Sequence, residues 1–455
     1  MSFPLRTARA AGDAVILLLS MAAAAAAGTA PPHDGPSLCR TGAYRHSDGS
    51  VVVLVLDAEE GARRFILEDG RTGVLRAGKQ GRYTAGPGWS KARPVVARAQ
   101  ISGCRPHRIR FSLDGGPRGT WSRIDLDEVP INFRSEQIEL SGRWVKASGD
   151  DPHPPAAVLV HGSSDTPYVD REPWQWMLPA MGVSIFIYDK RGTGKSGGVY
   201  TQDFSALADD AAAAIHAARR AAGSASGRIG LIGLSQGGWI APLTATRTSV
   251  DFLQVNYGVV GTPLEQDQWQ VRYELGAAGY GDIAISEASA LTAAAAKVAA
   301  SDFTQHIGEF EAALRPLRDR SWITSFEGQY TGLLVRGAYE QARSESPQVP
   351  WRHDAMKVLR LVHAPQLWIM AEDDSLAPIA PSVARLRSLA EEGYPISVVT
   401  VPCTEHGIRE FRYGPTGRER YRWADGFFRL QADWIRGRVS PDARAYGCAK
   451  FWKAP

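Results

Sequence analysis

Six short apolar runs, beginning at Ala156 and alternating with helix-patterned sequence, constrain this chain more than any other feature. They read AAVLVHG, VSIFIYD, RIGLIGLS, FLQVNYG, QLWIMAE and ISVVTVP, each rich in β-branched or aromatic residues. A strand that is apolar on both sides of its pleat must be covered on both faces, so the segment predicts a parallel sheet between helical layers. Between the second and third runs, Phe204, Leu207, Ala211, Ile215 and Ala218 recur at helical spacing. Residues 265–350 interrupt the alternation with amphipathic sequence, in which Phe303, Ile307, Phe310, Leu314 and Leu317 carry the helical period. The expectation there is a helical cap inserted over the edge of the sheet where the loops gather.

The sequence before this region has a different rhythm. Residues 37–127 alternate short β-type runs (SVVVLVLD, RRFILEDG, PVVARAQIS, HRIRFSLDGG, TWSRIDLD) with glycine turns, which predicts a small antiparallel β domain. INFRSEQIELSGRWV continues the β pattern into a second domain over 128–455, with the cap at about 265–350. At the N-terminus, Arg6 and Arg9 precede AVILLLSMAAAAAA and the small residues Gly28, Thr29 and Ala30. This is the pattern of a signal peptide over residues 1–30, cleaved after Ala27 or Ala30, in a secreted or periplasmic protein. The apolar run is too short and alanine-rich for a span of about 30 Å of hydrocarbon, so no stable membrane span is expected after cleavage.

Lys and Arg total 52 against 48 Asp and Glu, interspersed, for a formal net charge of +4. No basic face or tail points to nucleic acid. The four cysteines, Cys39, Cys104, Cys403 and Cys448, are an even number in a chain read as exported. Their clustering favours the bridges Cys39–Cys104 and Cys403–Cys448, while their spacing fits no zinc motif.

GLSQGG, directly after the third apolar run, sets Ser235 between Gly233 and Gly237. A serine hydroxyl needs a base to remove its proton and a carboxylate to orient that base. EDDSLAP follows the fifth run and CTEHGI the sixth, so both groups lie in loops beyond predicted parallel strands, where open α/β sheets build their functional crevice. The chain order is serine, aspartate, histidine, with Asp373 and Asp374 both available and His406 as the base. His353 and His363 fall before the strand QLWIMA and read as surface or packing residues, while His161, the other candidate base, precedes its turn and reads as a structural hydrogen-bonding residue. GTGKS at 192–196 imitates a phosphate loop, but the glycine that motif requires is replaced by Asp189. Trp174, Trp176 and Trp239 near the predicted site read as core and lid aromatics.

Together LVHGSS, YDKRGTGKSGG, GLSQGG, AEDDSLAP and TEHGI resemble the α/β-hydrolase superfamily, in its exported esterase and serine-aminopeptidase-like branch, over roughly residues 130–440. The resemblance implies a mostly parallel sheet with a helical cap and a cofactor-free, metal-free triad of Ser235, Asp374 and His406. Asp374 is the implied acid because it stands four residues before Pro378, as the family pattern requires. The backbone N–H groups of Gln236 and, by the same resemblance, Ser163 are the implied oxyanion donors. Asp189 and Arg191 are expected in local ion pairs and hydrogen bonds. The implied activity is cleavage of a small carboxylic ester through an acyl-enzyme. A peptidase of the same fold is the alternative, with Arg171, Glu172 and Glu265 as candidate anchors for a peptide terminus. A non-catalytic binding protein is the third reading, and a complete triad argues against it.

Overall fold

The computed structural model describes residues 40–225, 227–414 and 417–452. The expected signal peptide lies outside the described residues. Among the described residues no helix is long and apolar enough to cross a membrane.

Eight strands, β1 (Gly42–Arg45), β2 (Val51–Leu56), β3 (Arg63–Leu67), β4 (Thr72–Ala77), β5 (Arg82–Ala85), β6 (Ala97–Gln100), β7 (Arg108–Leu113) and β8 (Arg118–Arg123), pair antiparallel in chain order. The pairing of β1 with β8 closes them into a barrel. Tyr44, Leu54, Phe65, Leu75, Phe111 and Trp121 fill its interior. β2 explains why VVVLVL shows no polar alternation. Val52 and Leu54 point into the barrel, while Val51, Val53 and Val55 join the core beneath the neighbouring sheet.

That sheet has nine strands, from β9 (Glu128–Ser135), β10 (Ile138–Val145), β11 (Ala156–Val160), β12 (Ser184–Tyr188), β13 (Ile229–Leu234), β14 (Leu253–Asn256), β15 (Gln366–Ala371) and β16 (Ile396–Val401) to β20 (Lys450–Trp452). Three further strands, β17 (Thr404–Glu405), β18 (Arg409–Gly414) and β19 (Gly417–Trp423), form a small sheet of their own. The large sheet runs in the order β20-β16-β15-β14-β13-β11-β12-β10-β9. β11 to β16, the six apolar runs, are mutually parallel, and the β9–β10 hairpin and β20 are antiparallel edges.

Helices cover both faces. On one side α2 (Phe204–Ala222), α3 (Gly237–Ala245), α9 (Ala355–Leu359) and α10 (Ile379–Glu391) pack on the strands; on the other lie α1 (Trp174–Ala180), α11 (Phe427–Ile435) and the barrel. The sequence between β14 and β15 forms α4 (Pro263–Ala277), α5 (Asp282–Ala299), α6 (Ile307–Leu314), α7 (Thr331–Val335) and α8 (Tyr339–Glu345) around a core of their own. α6 starts at Ile307 and not at Phe303, because Asp302, Phe303 and His306 adopt positive φ and break the helical period. Phe303 still packs in the cap core.

The cap spans the loop-bearing end of the sheet. Gln266 and Gln329 donate to the Leu376 carbonyl at 2.9 and 3.3 Å, in the loop after β15. At its other end the Glu345 carbonyl accepts from Gln202 Nε2 at 2.7 Å, in the loop after β12. The barrel in turn docks on the small sheet: Trp423 N donates to Gly70 O at 3.0 Å and Lys91 pairs with Glu419 at 2.5 Å.

Candidate active site

β13 runs straight into α3 with only Ser235 and Gln236 between them. The turn is sharp, and Ser235 takes φ 53°, a left-handed conformation that is strained for a serine. The flanking glycines are a steric demand of this turn. A Cβ on Gly233 would stand 2.4 Å from Gly237 O, and one on Gly237 would stand 2.7 Å from Val160 O. We expect Gly233→Ala to cost about 1–3 kcal/mol, as overpacking does, and to slow reaction of Ser235 with a fluorophosphonate. A melting temperature and labelling rate equal to the unaltered protein would refute this.

Asp374 is buried in the turn after β15. Its Oδ1 accepts from the backbone N–H groups of Leu376 at 3.0 Å and Ala377 at 2.9 Å, which fixes the carboxylate and leaves Oδ2 free for His406 Nδ1 at 2.8 Å. His406 follows β17, and its Nε2 lies 2.9 Å from Ser235 Oγ. With Nδ1–H donating to the carboxylate, Nε2 is the acceptor for the serine hydroxyl. The Tyr257 ring meets the imidazole edge-to-face at 4.9 Å. Asp373 is used differently: its N–H donates to Thr404 O at 2.9 Å and its carbonyl accepts from Arg418 at 2.8 Å, tying the two loops together.

The loop after β11 lies against Ser235, and a Cβ on Gly162 would sit 3.5 Å from Ser235 Cβ. Tyr168 OH accepts from Gly162 N at 2.8 Å and Lys190 Nζ donates to Gly162 O at 2.8 Å, so both sides of this peptide are held. Among the described residues neither Ser163 N–H nor Gln236 N–H donates to a protein acceptor. Both therefore remain available to a ligand oxygen, and Gln236 is the N-cap of α3. Lys190 escaped the sequence reading. Burial pulls its pKa down to about 7, and the signal was a lysine placed two residues beyond an apolar strand.

His161 is buried, stacked on Tyr168 at 3.6 Å and bonded through Nε2 to Tyr188 O. Burial holds its pKa well below the ordinary value. His353 packs edge-to-face on Phe204 at 5.2 Å, and the exposed His363 stacks on Tyr394. The glycines of GTGKS serve local packing: a Cβ on Gly194 would stand 2.0 Å from Asp189 Oδ2. Asp189 accepts from the N–H groups of Tyr168, Val169 and Lys195, while Arg191 forms a two-pronged pair with Asp210 at 2.7 Å. Trp174, Trp176 and Trp239 are buried core residues.

The cysteines require a correction. Cys403 and Cys448 are free and exposed, so the expected bridge between them is absent. The C-terminal segment is tied back by backbone pairing instead, Thr400 opposite Lys450 and Val398 opposite Trp452, with Lys450 bound to Glu372 at 3.0 Å. Cys104 is disulfide-bonded; Cys39, its expected partner, lies outside the described residues.

Of the three candidate anchors, Glu265 is consumed by the capping box of α4 and by Arg385 at 2.5 Å, and Arg171 donates to Asp57 O at 3.4 Å. Among the described residues the Glu172 carboxylate has no hydrogen-bond donor or ion pair. Burial pushes its pKa up to about 7, against the opposing pull of Arg409 and Arg171. The folded protein then holds a proton that the unfolded chain has released above pH 4.5, so stability should fall as pH rises from 4.5 to about 7. Glu172→Gln should remove that part of the slope. A stability difference between variant and parent that stays constant over the window would sink this expectation.

A cleft of about 590 Å³ lined by Arg82, Arg98 and Arg110 lies on barrel strands β5–β8, and it holds none of the triad. Among the described residues no group of three or more His, Cys, Asp or Glu side chains could hold a metal ion.

Residues 152–263 match the family model described as Serine aminopeptidase, S33. No curated protein matches the chain at a significant level. Among solved structures, an esterase from Pyrococcus furiosus, Pf2001, is 14% identical with a TM-score of 0.38, covering 62% of this chain and 85% of its own. The acylaminoacyl peptidase of Pyrococcus horikoshii is 16% identical with a TM-score of 0.40, covering 80% and 51%. Est1E from Butyrivibrio proteoclasticus, with ferulic acid bound, is 15% identical with a TM-score of 0.38, covering 68% and 96%. At these scores the likenesses add nothing to what strand order and the Ser235 turn already establish. On that strand order, the strained serine turn and the family match over residues 152–263, the chain has the α/β-hydrolase fold.

Proposed function

We propose that the protein is a serine hydrolase that cleaves carboxylic esters through an acyl-enzyme. The observation that carries the reading is the unbroken hydrogen-bonded chain Asp374–His406–Ser235, at 2.8 and 2.9 Å, centred on a serine in a strained strand-to-helix turn. Ser235 Oγ attacks the ester carbonyl while its proton passes to His406 Nε2. The charge formed on the carbonyl oxygen is met by the N–H groups of Ser163 and Gln236. His406 then protonates the leaving alkoxide as the carbon–oxygen bond breaks. Water, deprotonated by the same imidazole, attacks the acyl-enzyme and releases the acid. Lys190 and Tyr168 act as positioning residues, since they grip the Gly162 peptide next to the oxyanion donor.

The match of residues 152–263 to the serine aminopeptidase model favours a second reading, an amide-cleaving enzyme with the same triad. Turnover of a panel of acyl esters against aminoacyl anilides, with fluorophosphonate labelling of Ser235, decides between them. Ester hydrolysis without anilide hydrolysis supports the first reading, and the reverse supports the second. Export of the enzyme is proposed on the N-terminal pattern alone, and N-terminal sequencing of the mature protein tests it.

A further inference from the structure

Three residues beyond His406 stands an arginine whose guanidinium has no hydrogen-bond acceptor among the described residues. β18 and β19 carry several arginines, and Arg418, Arg420 and Arg422 each reach an oxygen acceptor: Asp373 O, the Glu405 carboxylate and both oxygens of Glu410. Arg409 reaches none among the described residues. Its Nε is sealed from solvent without a partner, while its Nη atoms carry neither a hydrogen bond nor that full burial. The guanidinium carbon stands over the ring of Trp89, 4.6 Å from its centroid, and Trp89 itself packs on Trp423 at 4.4 Å. A guanidinium stripped of part of its water and given no acceptor is costly unless something else completes it.

The position of this group matters as much as its lack of a partner. A Cβ on Gly407, the residue next to His406, would stand 2.8 Å from Arg409 Nε, and the arginine's charge acts on Glu172, Tyr168 and Tyr257. Tyr257 packs on His406, and Tyr168 binds Gly162 N of the oxyanion loop. Glu172 acts on it electrostatically, but among the described residues no ion pair joins the two. Glu405, the other acid nearby, is taken by Arg420.

We propose that Arg409 is an anion-binding subsite of the catalytic pocket, and that the natural substrate carries a carboxylate which docks on it, bidentate, beside the scissile bond. The planar fork of a guanidinium matches a carboxylate in this way, and the Trp89 ring beneath it limits where the fork can go. The proposal rests on the serine hydrolase reading for its chemistry, but the anion site itself can be measured without turnover.

The kinetic test compares matched nitrophenyl esters, a glutarate half-ester against a neutral butyrate, together with phenyl butyrates with and without a 4-carboxylate on the leaving group. The charged member of one pair should be preferred in kcat/KM. Arg409→Gln should lower that charged-to-neutral ratio by about 10-fold to 100-fold, the worth of a charge-assisted hydrogen-bond pair, and Arg409→Lys should restore part of it. No preference in either pair, or a ratio unmoved by Arg409→Gln, overturns the proposal. Calorimetric titration of glutarate into the Ser235→Ala protein and its Arg409→Gln derivative supplies the second arm. Binding that is lost with Arg409 supports the subsite even where no ester is turned over and no fluorophosphonate labels Ser235, in which case the hydrolase reading alone fails. Glutarate binding that is absent, or unchanged without Arg409, overturns the subsite.

Discussion

Ser235→Ala should abolish fluorophosphonate labelling and lower ester hydrolysis by about 10⁶-fold, the loss typical when a triad nucleophile is removed. The fold should survive the change. Ser235 Oγ makes one side-chain hydrogen bond, to His406, and alanine keeps the Cβ that the elbow already tolerates at φ 53°. The backbone strain is therefore common to both proteins and cancels in a comparison of their melting temperatures. Ser235→Gly makes the same point from the other side, because glycine adopts a left-handed φ without strain. It should be as inactive as Ser235→Ala yet as stable or more so. Hydrolysis or labelling that persists in Ser235→Ala would move the nucleophile to another residue.

The parts of this molecule that could be read from sequence are those in which local pattern and tertiary burial impose the same demand. β11 to β16 are buried on both faces, so their runs are apolar without interruption, and the loops beyond β13, β15 and β16 could be found by counting strands. Ser235, Asp374 and His406 converge because those loops share one end of a parallel sheet, a topological fact that strand order already contains. Barrel closure is less legible, since nothing local in GAYR says that β1 will pair with both β2 and β8. β20 is three residues long, and its pairing to β16 depends on where the chain returns and not on its own pattern. The bridge expected between Cys403 and Cys448 failed for a related reason: that return is secured by the β16 ladder, and both thiols are left free. Arg409 and Lys190 were hidden because a charged residue reads as solvated until its surroundings are known. Only the three-dimensional neighbourhood shows that one amine grips Gly162 and that one guanidinium has no acceptor.

Asp374→Asn should lower kcat by about 10⁴-fold, while Asp373→Asn should change it little. The two neighbours have different work in the structure. Asp374 is buried, its Oδ1 holds two backbone N–H groups and its Oδ2 receives His406 Nδ1–H. An asparagine at 374 fills the same space, and its oxygen can keep the two backbone donors. Its amide then presents N–H to Nδ1, where the carboxylate had presented an acceptor. The imidazole must place its proton on Nε2, and Nε2–H cannot take a proton from Ser235. The carboxylate that would stabilise the imidazolium is lost in the same step. Asp373 binds its surroundings through its backbone, with N–H to Thr404 O and carbonyl to Arg418, and those contacts do not depend on the side-chain charge. Rates measured with one ester over pH 5–9 separate the two variants, and circular dichroism checks that both fold. A large loss in Asp373→Asn beside a mild one in Asp374→Asn would transfer the orienting role to Asp373.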